Sequence, residues 1–291
     1  MKRMILMVML CAALAVSFAG CGSGDAASAD CGSAAAPEES AEQVEVLVFA
    51  AASMSFSLEE LKASYEADHP NVTITLNCDS SGTLKTQIME GAPCDIFFSA
   101  AQKQMDEVEE AGLVIEGSRQ DVLNNQLCVI TQPDSATKVT GIEDLDKAAS
   151  LALADGSVPV GKYTRRALMN LGILDKVDDP AVYTTQEVSE ALGGIEISEQ
   201  GNVSKVLTAV QEGSCEVGTV YLSDTYGHES DVKILQVVPY DTAGDIIYPI
   251  ALISNPDAAD AQAEAAADVL AYLTGDEAKE VYKTHLFDID L

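Results

Sequence analysis

From Val44 onward, short apolar runs alternate with longer segments whose apolar residues recur every three or four positions. The short runs predict strands over Val44–Ala50, Val72–Leu76, Asp95–Ser99, Leu127–Thr131, Leu151–Ala154, Val217–Tyr221, Lys233–Val238 and Tyr248–Ile253. The helical spacing predicts helices over Phe56–Ala67, Thr83–Glu90, Lys162–Leu171 and Val203–Glu212. The first stops before Pro70, and the other three before Gly91, Gly172 and Gly213, where glycine frees the backbone to leave the helix. An Ala-rich amphipathic pair, Asp257–Leu273 and Asp276–His285, closes the chain and should pack outside a sheet. Strand–helix alternation of this kind builds α/β layers, which bind ligands at the carboxyl ends of the strands.

The first 42 residues follow neither pattern. Lys2 and Arg3 precede an apolar run from Met4 to Ala19, closed by Gly20 and Cys21. That is the anatomy of a secretory signal, and it is too short for a stable membrane span. Phe18-Ala19-Gly20-Cys21 resembles a bacterial lipobox, in which the Cys21 thiol is acylated and becomes the new N-terminus; cleavage with Cys21 as a bystander is the plainer alternative. Residues 22–42 are Gly, Ser, Ala and acidic residues without apolar period, the composition of a flexible tether. The expected address is therefore extracytoplasmic, with a lipid anchor in the cell membrane.

Export limits the chemistry. Cys78, Cys94, Cys128 and Cys215 are left in the folded part; none forms a C-x-x-C pair, and burial as small apolar residues is the expected fate. Losing Lys2 and Arg3 takes the formal charge from −31 to −33, a surface that repels nucleic acid and anionic headgroups. Gly156-Ser157-Val158-Pro159-Val160-Gly161-Lys162 matches most of a nucleotide phosphate loop, but Tyr163 stands where a small hydroxyl should meet magnesium. His69, His228 and His285 lack zinc-ligand spacing, no G-x-S-x-G turn occurs, and clusters such as Glu107-Val108-Glu109-Glu110 read as a solvated helix face.

Four helix starts share one chemistry. Ala50-Ala51-Ala52-Ser53, Ser80-Ser81-Gly82-Thr83, Val158-Pro159-Val160-Gly161 and Gln200-Gly201-Asn202-Val203 each lead into a helix. Helix N-termini present unpaired N–H groups and partial positive charge, so each is a potential anion contact. Ordinary capping accounts for any single serine among them. Four such turns together are harder to assign to capping.

The strings VFAAASM, SSGTLKTQIMEGAPCDIFFSA, SVPVGKYTRRAL and NVSKVLTAVQEGSCEVGTVYLSD, with the tail AYLTGDEAKEVYKTHLF, resemble the periplasmic molybdate-binding proteins of ABC transporters from Val44 to Phe287. The resemblance implies a two-lobed periplasmic-binding-protein fold, each lobe a mostly parallel sheet flanked by helices, with the ligand cleft between them. It implies hydroxyl and N–H contacts to a tetrahedral oxyanion from Ser53 and Ser81, N–H contacts from Val160 and Val203, and a phenol from Tyr221. Gln186-Glu187-Val188-Ser189 imitates the motif around Val203, within a stretch, 180–199, longer than the family's connection. Val203 is preferred because it leads on to Tyr221 at the family spacing.

On that reading residues 1–21 are signal, 22–42 tether, 43–123 with 225–291 one lobe, and 124–224 the other. The protein is then a monomeric, non-enzymatic carrier that needs no cofactor and delivers molybdate or tungstate to permease subunits. A carrier of sulfate, phosphate or an organic anion, or an exported enzyme on a similar fold, stays open, because fold alone does not separate them.

Overall fold

A computed structural model of the chain describes residues 43–291; the signal segment, Cys21 and the expected tether lie outside the described residues. The chain begins with β1 (Val44–Ala51), a short 3-10 turn (Ala52–Met54), α1 (Ser55–Asp68), β2 (Val72–Asp79), α2 (Ser81–Met89), β3 (Ile96–Phe98), α3 (Gln102–Glu110) and β4 (Gln120–Leu123). It continues through β5 (Leu127–Thr131), β6 (Ser150–Ala154), α4 (Pro159–Asn170), α5 (Thr185–Ala191), β7 (Glu196–Gln200), α6 (Val203–Gln211), β8 (Val217–Tyr221) and β9 (Lys233–Val237). It ends with α7 (Tyr240–Ala243), β10 (Tyr248–Leu252), α8 (Asp260–Leu273) and α9 (Asp276–Thr284).

The strands form two five-stranded sheets, ordered β2-β1-β3-β10-β4 and β7-β6-β8-β5-β9. Each contains one strand antiparallel to its neighbours, β10 in the first and β5 in the second. Both follow a segment that crosses between sheets, residues 124–126 outward and 238–247 on the return. This is the two-lobed α/β architecture expected from the sequence.

The apolar spacing accounts for the layers. On α1, Leu58, Leu61 and Tyr65 are buried along one face, and on α6 Val203, Val206, Leu207 and Val210 are. The latter face lies close on β8, where a Cβ at Gly218 would meet the Val210 and Val206 side chains at 2.8 and 3.0 Å. Gly172 and Gly213 have φ of +75° and +72°, which stops α4 and α6 as expected.

Sequence and structure part at several places. Strand β9 pairs with β5 in the second sheet, whereas the division read from sequence put everything after residue 224 with the first. Without β9, the outer edge of β5 would present unpaired N–H and C=O groups. Residues 180–199 are not a bare connection: they form a 3-10 turn (Pro180–Val182), α5 and β7, which pairs with β6. The third helix starts at Pro159 rather than Lys162, with proline at a position that needs no N–H, and this brings Val160 into its first turn.

Cys78, Cys94, Cys128 and Cys215 are free thiols, the last three buried. Burial pushes the Cys78 thiol up to about 11 and Cys128 well above its ordinary value, so neither is a ready nucleophile. Dithiothreitol should leave the melting temperature unchanged, since among the described residues no cross-link worth ~2–4 kcal/mol is there to lose. A large fall on reduction would contradict free thiols.

Candidate functional site

The carboxyl end of β1 turns directly into the 3-10 segment that carries Ser53, and the end of β2 turns into α2 at Ser81. Across the cleft, β6 leads to Val160 in the first turn of α4, β7 leads to Val203 at the start of α6, and β8 ends on Tyr221. All five residues line one cavity between the two sheets. Its free space is about 10 Å³, against ~300–1,000 Å³ for pockets that take organic ligands. It can enclose only a small solute.

Neither serine is spent on capping. The α2 cap is Ser80, whose hydroxyl accepts from Thr83 N–H, and Asn202 caps α6 by accepting from Lys205 N–H. The α4 start has no side-chain cap. Ser81 Oγ accepts from Ala100 N–H at 2.9 Å, which leaves its own hydrogen to point elsewhere. Ser53 Oγ lies 2.9 Å from Tyr248 Oη, which in turn accepts from Asn125 Nδ2 at 3.1 Å. Tyr248 is fully buried, so its hydrogen needs an acceptor, and Ser53 is in place to accept it. That again leaves a serine hydrogen free.

Tyr221 is the exception to pairing. Its hydroxyl is buried and has no hydrogen-bond partner. Burial holds the Tyr221 and Tyr248 phenols well above their ordinary pKa, so both are neutral donors. An unpaired buried hydroxyl costs ~1–3 kcal/mol, and a ligand acceptor would remove that cost.

Charge near the cavity is managed by burial. No lysine or arginine lines it, and Asp79 does. Asp79 Oδ1 accepts from Ser80 N–H at 2.7 Å and from Asn202 Nδ2 at 3.0 Å, the second bond joining the two sides of the cleft. Asp224, next to the site, accepts from Tyr221 N–H at 2.8 Å. Burial raises its pKa to about 7, against that hydrogen bond, so near neutrality it is substantially protonated. A larger open space of about 670 Å³ adjoins the cleft, its lysines set among carboxylates: Lys85 bonds Glu107, while Lys103 and Lys162 share Asp179.

Asn125, Tyr248, Asn202 and Asp224 are absent from the sequence-derived set. Only Asn202, a capping residue before a helix, carried a local signal. Val188, the alternative to Val203, is buried inside α5, where its N–H bonds Thr184. The three histidines are dispersed: His69 stacks on Tyr65, His228 meets Phe56 edge-on, and His285 bonds Glu60. The phosphate-loop look-alike becomes the turn into α4, with Lys162 bonded to Asp179.

Asp224 gives a pH prediction. Its folded pKa lies above the unfolded one, so its contribution favours the fold at low pH and is lost as pH rises through about 7. Asp224→Asn keeps an acceptor for Tyr221 N–H and removes the buried charge. The ligand-free variant should melt above the wild type near pH 8, with the gain shrinking toward pH 4. A gain of the same size at both pH values would show that ionisation is not involved.

The model of bacterial extracellular solute-binding proteins matches residues 46–288. The chain is 30% identical to YvgL of Bacillus subtilis (strain 168), provisionally named an ABC transporter substrate-binding lipoprotein, covering 89% of this chain and 92% of that one. It is 30% identical to the molybdate-binding protein ModA of Haemophilus influenzae, covering 83% and 89% of the two chains. A solved structure of the periplasmic molybdate-binding protein of Azotobacter vinelandii superposes with a TM-score of 0.67 at 21% identity, over 84% of this chain and all of that one.

Proposed function

The chain belongs to the bacterial extracellular solute-binding proteins, and from that premise we propose that it captures molybdate or tungstate in the cleft for an ABC importer. The observation that carries the reading is the buried, unpartnered Tyr221 hydroxyl facing a cavity also lined by Ser53, Ser81, Val160 and Val203. These are neutral donors around a space for one small solute. A tetrahedral dianion accepts many hydrogen bonds, and the helix starts supply partial positive charge without a contact cation. The relatives named for molybdate support this choice over other anions.

Ser53 and Ser81 would donate hydroxyls, Val160 and Val203 N–H groups, and Tyr221 its phenol. The first sheet with its helices brings the serines; the second, extended to include β9, brings the other three. Only the closed arrangement offers every donor, so the anion favours closure and the permease subunits can distinguish a loaded carrier. Cys21 would carry the lipid anchor, with residues 22–42 as tether and the carrier acting as a monomer. Nothing at the site resembles an acid–base pair or an activated nucleophile, which favours binding over catalysis.

Fixed neutral donors measure size more than charge. Sulfate has the same charge and shorter bonds to oxygen, so it leaves donors unmet at ~1–3 kcal/mol each. Calorimetry should give molybdate and tungstate affinities at least ~100-fold above sulfate, a gap of only about 2.7 kcal/mol. Equal sulfate and molybdate affinities would overturn the assignment.

Ser53→Ala and Ser81→Ala should each weaken molybdate binding roughly 10- to 150-fold, the worth of a hydrogen bond to a charged group. Tyr221→Phe should weaken it similarly while the ligand-free protein melts no lower than wild type, because an unpaired buried hydroxyl has gone. Val203→Pro should weaken binding, since proline is tolerated in a helix's first turn but brings no N–H, while Val203→Ala should not. Wild-type affinity in all of these variants would remove the proposed site.

A further inference from the structure

Arg165 is fully buried. Its Nη1 donates to Ala154 O at 2.9 Å and Gly161 O at 3.0 Å, its Nε to Tyr183 O at 2.9 Å and its Nη2 to Thr185 Oγ1 at 3.4 Å. Every partner is a neutral oxygen, and among the described residues Arg165 forms no salt bridge. A guanidinium stays charged in proteins even when buried, and a buried charge without a counter-ion is costly.

The position of that charge matters. Ala154 ends β6, and Gly161 lies in the first turn of α4. Between them runs the turn whose Val158, Pro159 and Val160 line the anion cavity. The guanidinium therefore grips both ends of that turn from behind. The approach is close throughout, since a Cβ at Gly161 would meet Asp155 O at 2.2 Å and Ala154 O at 2.3 Å.

The cavity lacks a cation of its own and carries Asp79 on its wall. Of the other cations on α4, Lys162 is bonded to Asp179 and Arg166 lies over the Tyr163 ring, 5.0 Å from its centroid. We propose that Arg165 is the positioning residue that supplies the cavity's positive charge, acting through the first turn of α4 without touching the anion. The inference rests on the oxyanion reading above. Charge in a low-dielectric interior acts over several ångströms, so contact is not required. Asp155 and Glu199 temper it from a distance, and Glu199 reaches it through a hydrogen bond to Thr185 Oγ1.

The test is calorimetric titration of the full protein with molybdate, beside melting curves without ligand. Arg165→Gln should raise Kd at least about tenfold, while Arg165→Lys, which keeps the charge but cannot make all four bonds, should stay within about threefold of wild type. A purely structural role predicts that Lys is as poor as Gln, and that result would overturn the proposal, as would wild-type affinity in Arg165→Gln. Should neither variant fold, exposed Glu199 decides: Glu199→Gln should tighten binding about twofold, and Glu196→Gln, on the same strand, should not. Equal Kd values for those two would also overturn it. Failure of wild type to bind molybdate at all would instead remove the oxyanion reading.

Discussion

A buried anion site must keep hydrogen-bond donors unpaired in the free protein, although burial makes unpaired donors expensive. The rest of this cleft can be understood from that constraint. Capping, the commonest use of a serine or asparagine before a helix, is delegated to Ser80 and Asn202, which leaves Ser81 and the Val203 N–H. The Ser81 hydroxyl is held as an acceptor from Ala100, and Ser53 is placed to accept from Tyr248, so each is fixed in position without losing its hydrogen. Tyr221 has no such arrangement and bears the cost directly. The cavity is small enough that few groups carry this burden.

The same constraint bears on how the proposed anion site would persist in a protein of formal charge −31. Surface charge is screened by water and salt, whereas the groups nearest the cavity act through protein. Burial raises the Asp224 pKa to about 7, so near neutrality much of this group carries no charge beside the site. Asp79 remains on the wall, but one of its oxygens is occupied by Ser80 N–H and Asn202. Local dipoles and one buried guanidinium can then outweigh a distant negative field.

Much of this was legible in the sequence, and the remainder was hidden for identifiable reasons. Apolar period and glycine stops marked the strands and helices, because both signals are local. The helix starts around Ser53, Ser81, Val160 and Val203 stood out as strand-to-helix turns, whereas the choice of those residues and of Tyr221 came from the family resemblance; the structure brings all five to one cavity. The sheet that β9 joins was not legible, since an edge strand is chosen by a partner distant in the chain. Short or polar elements such as β4, α5 and β7 carry too few apolar residues to announce themselves. Tyr248 and Asn125 look like ordinary strand and loop residues until the crossing segments set them beside Ser53. Arg165 sits in a helix where charged residues normally face water, and only its contacts reveal its burial.

Asn125 belongs to the three-residue crossing between sheets, and it bonds both Ser223 of the second lobe and Tyr248 of the first. Asn124 beside it accepts from Ile246 N–H on the return crossing. The pivot of any opening motion is thus wired to the Ser53 hydroxyl through two hydrogen bonds. Ser81 and Tyr221 are each only 1% exposed, so the donors they would offer lie deep between the two sheets. Release of a captured ion would therefore require the lobes to part and its donor bonds to break together. Changes in the crossing segments would alter residence time through the opening step, whereas changes at the helix starts would alter affinity and opening together.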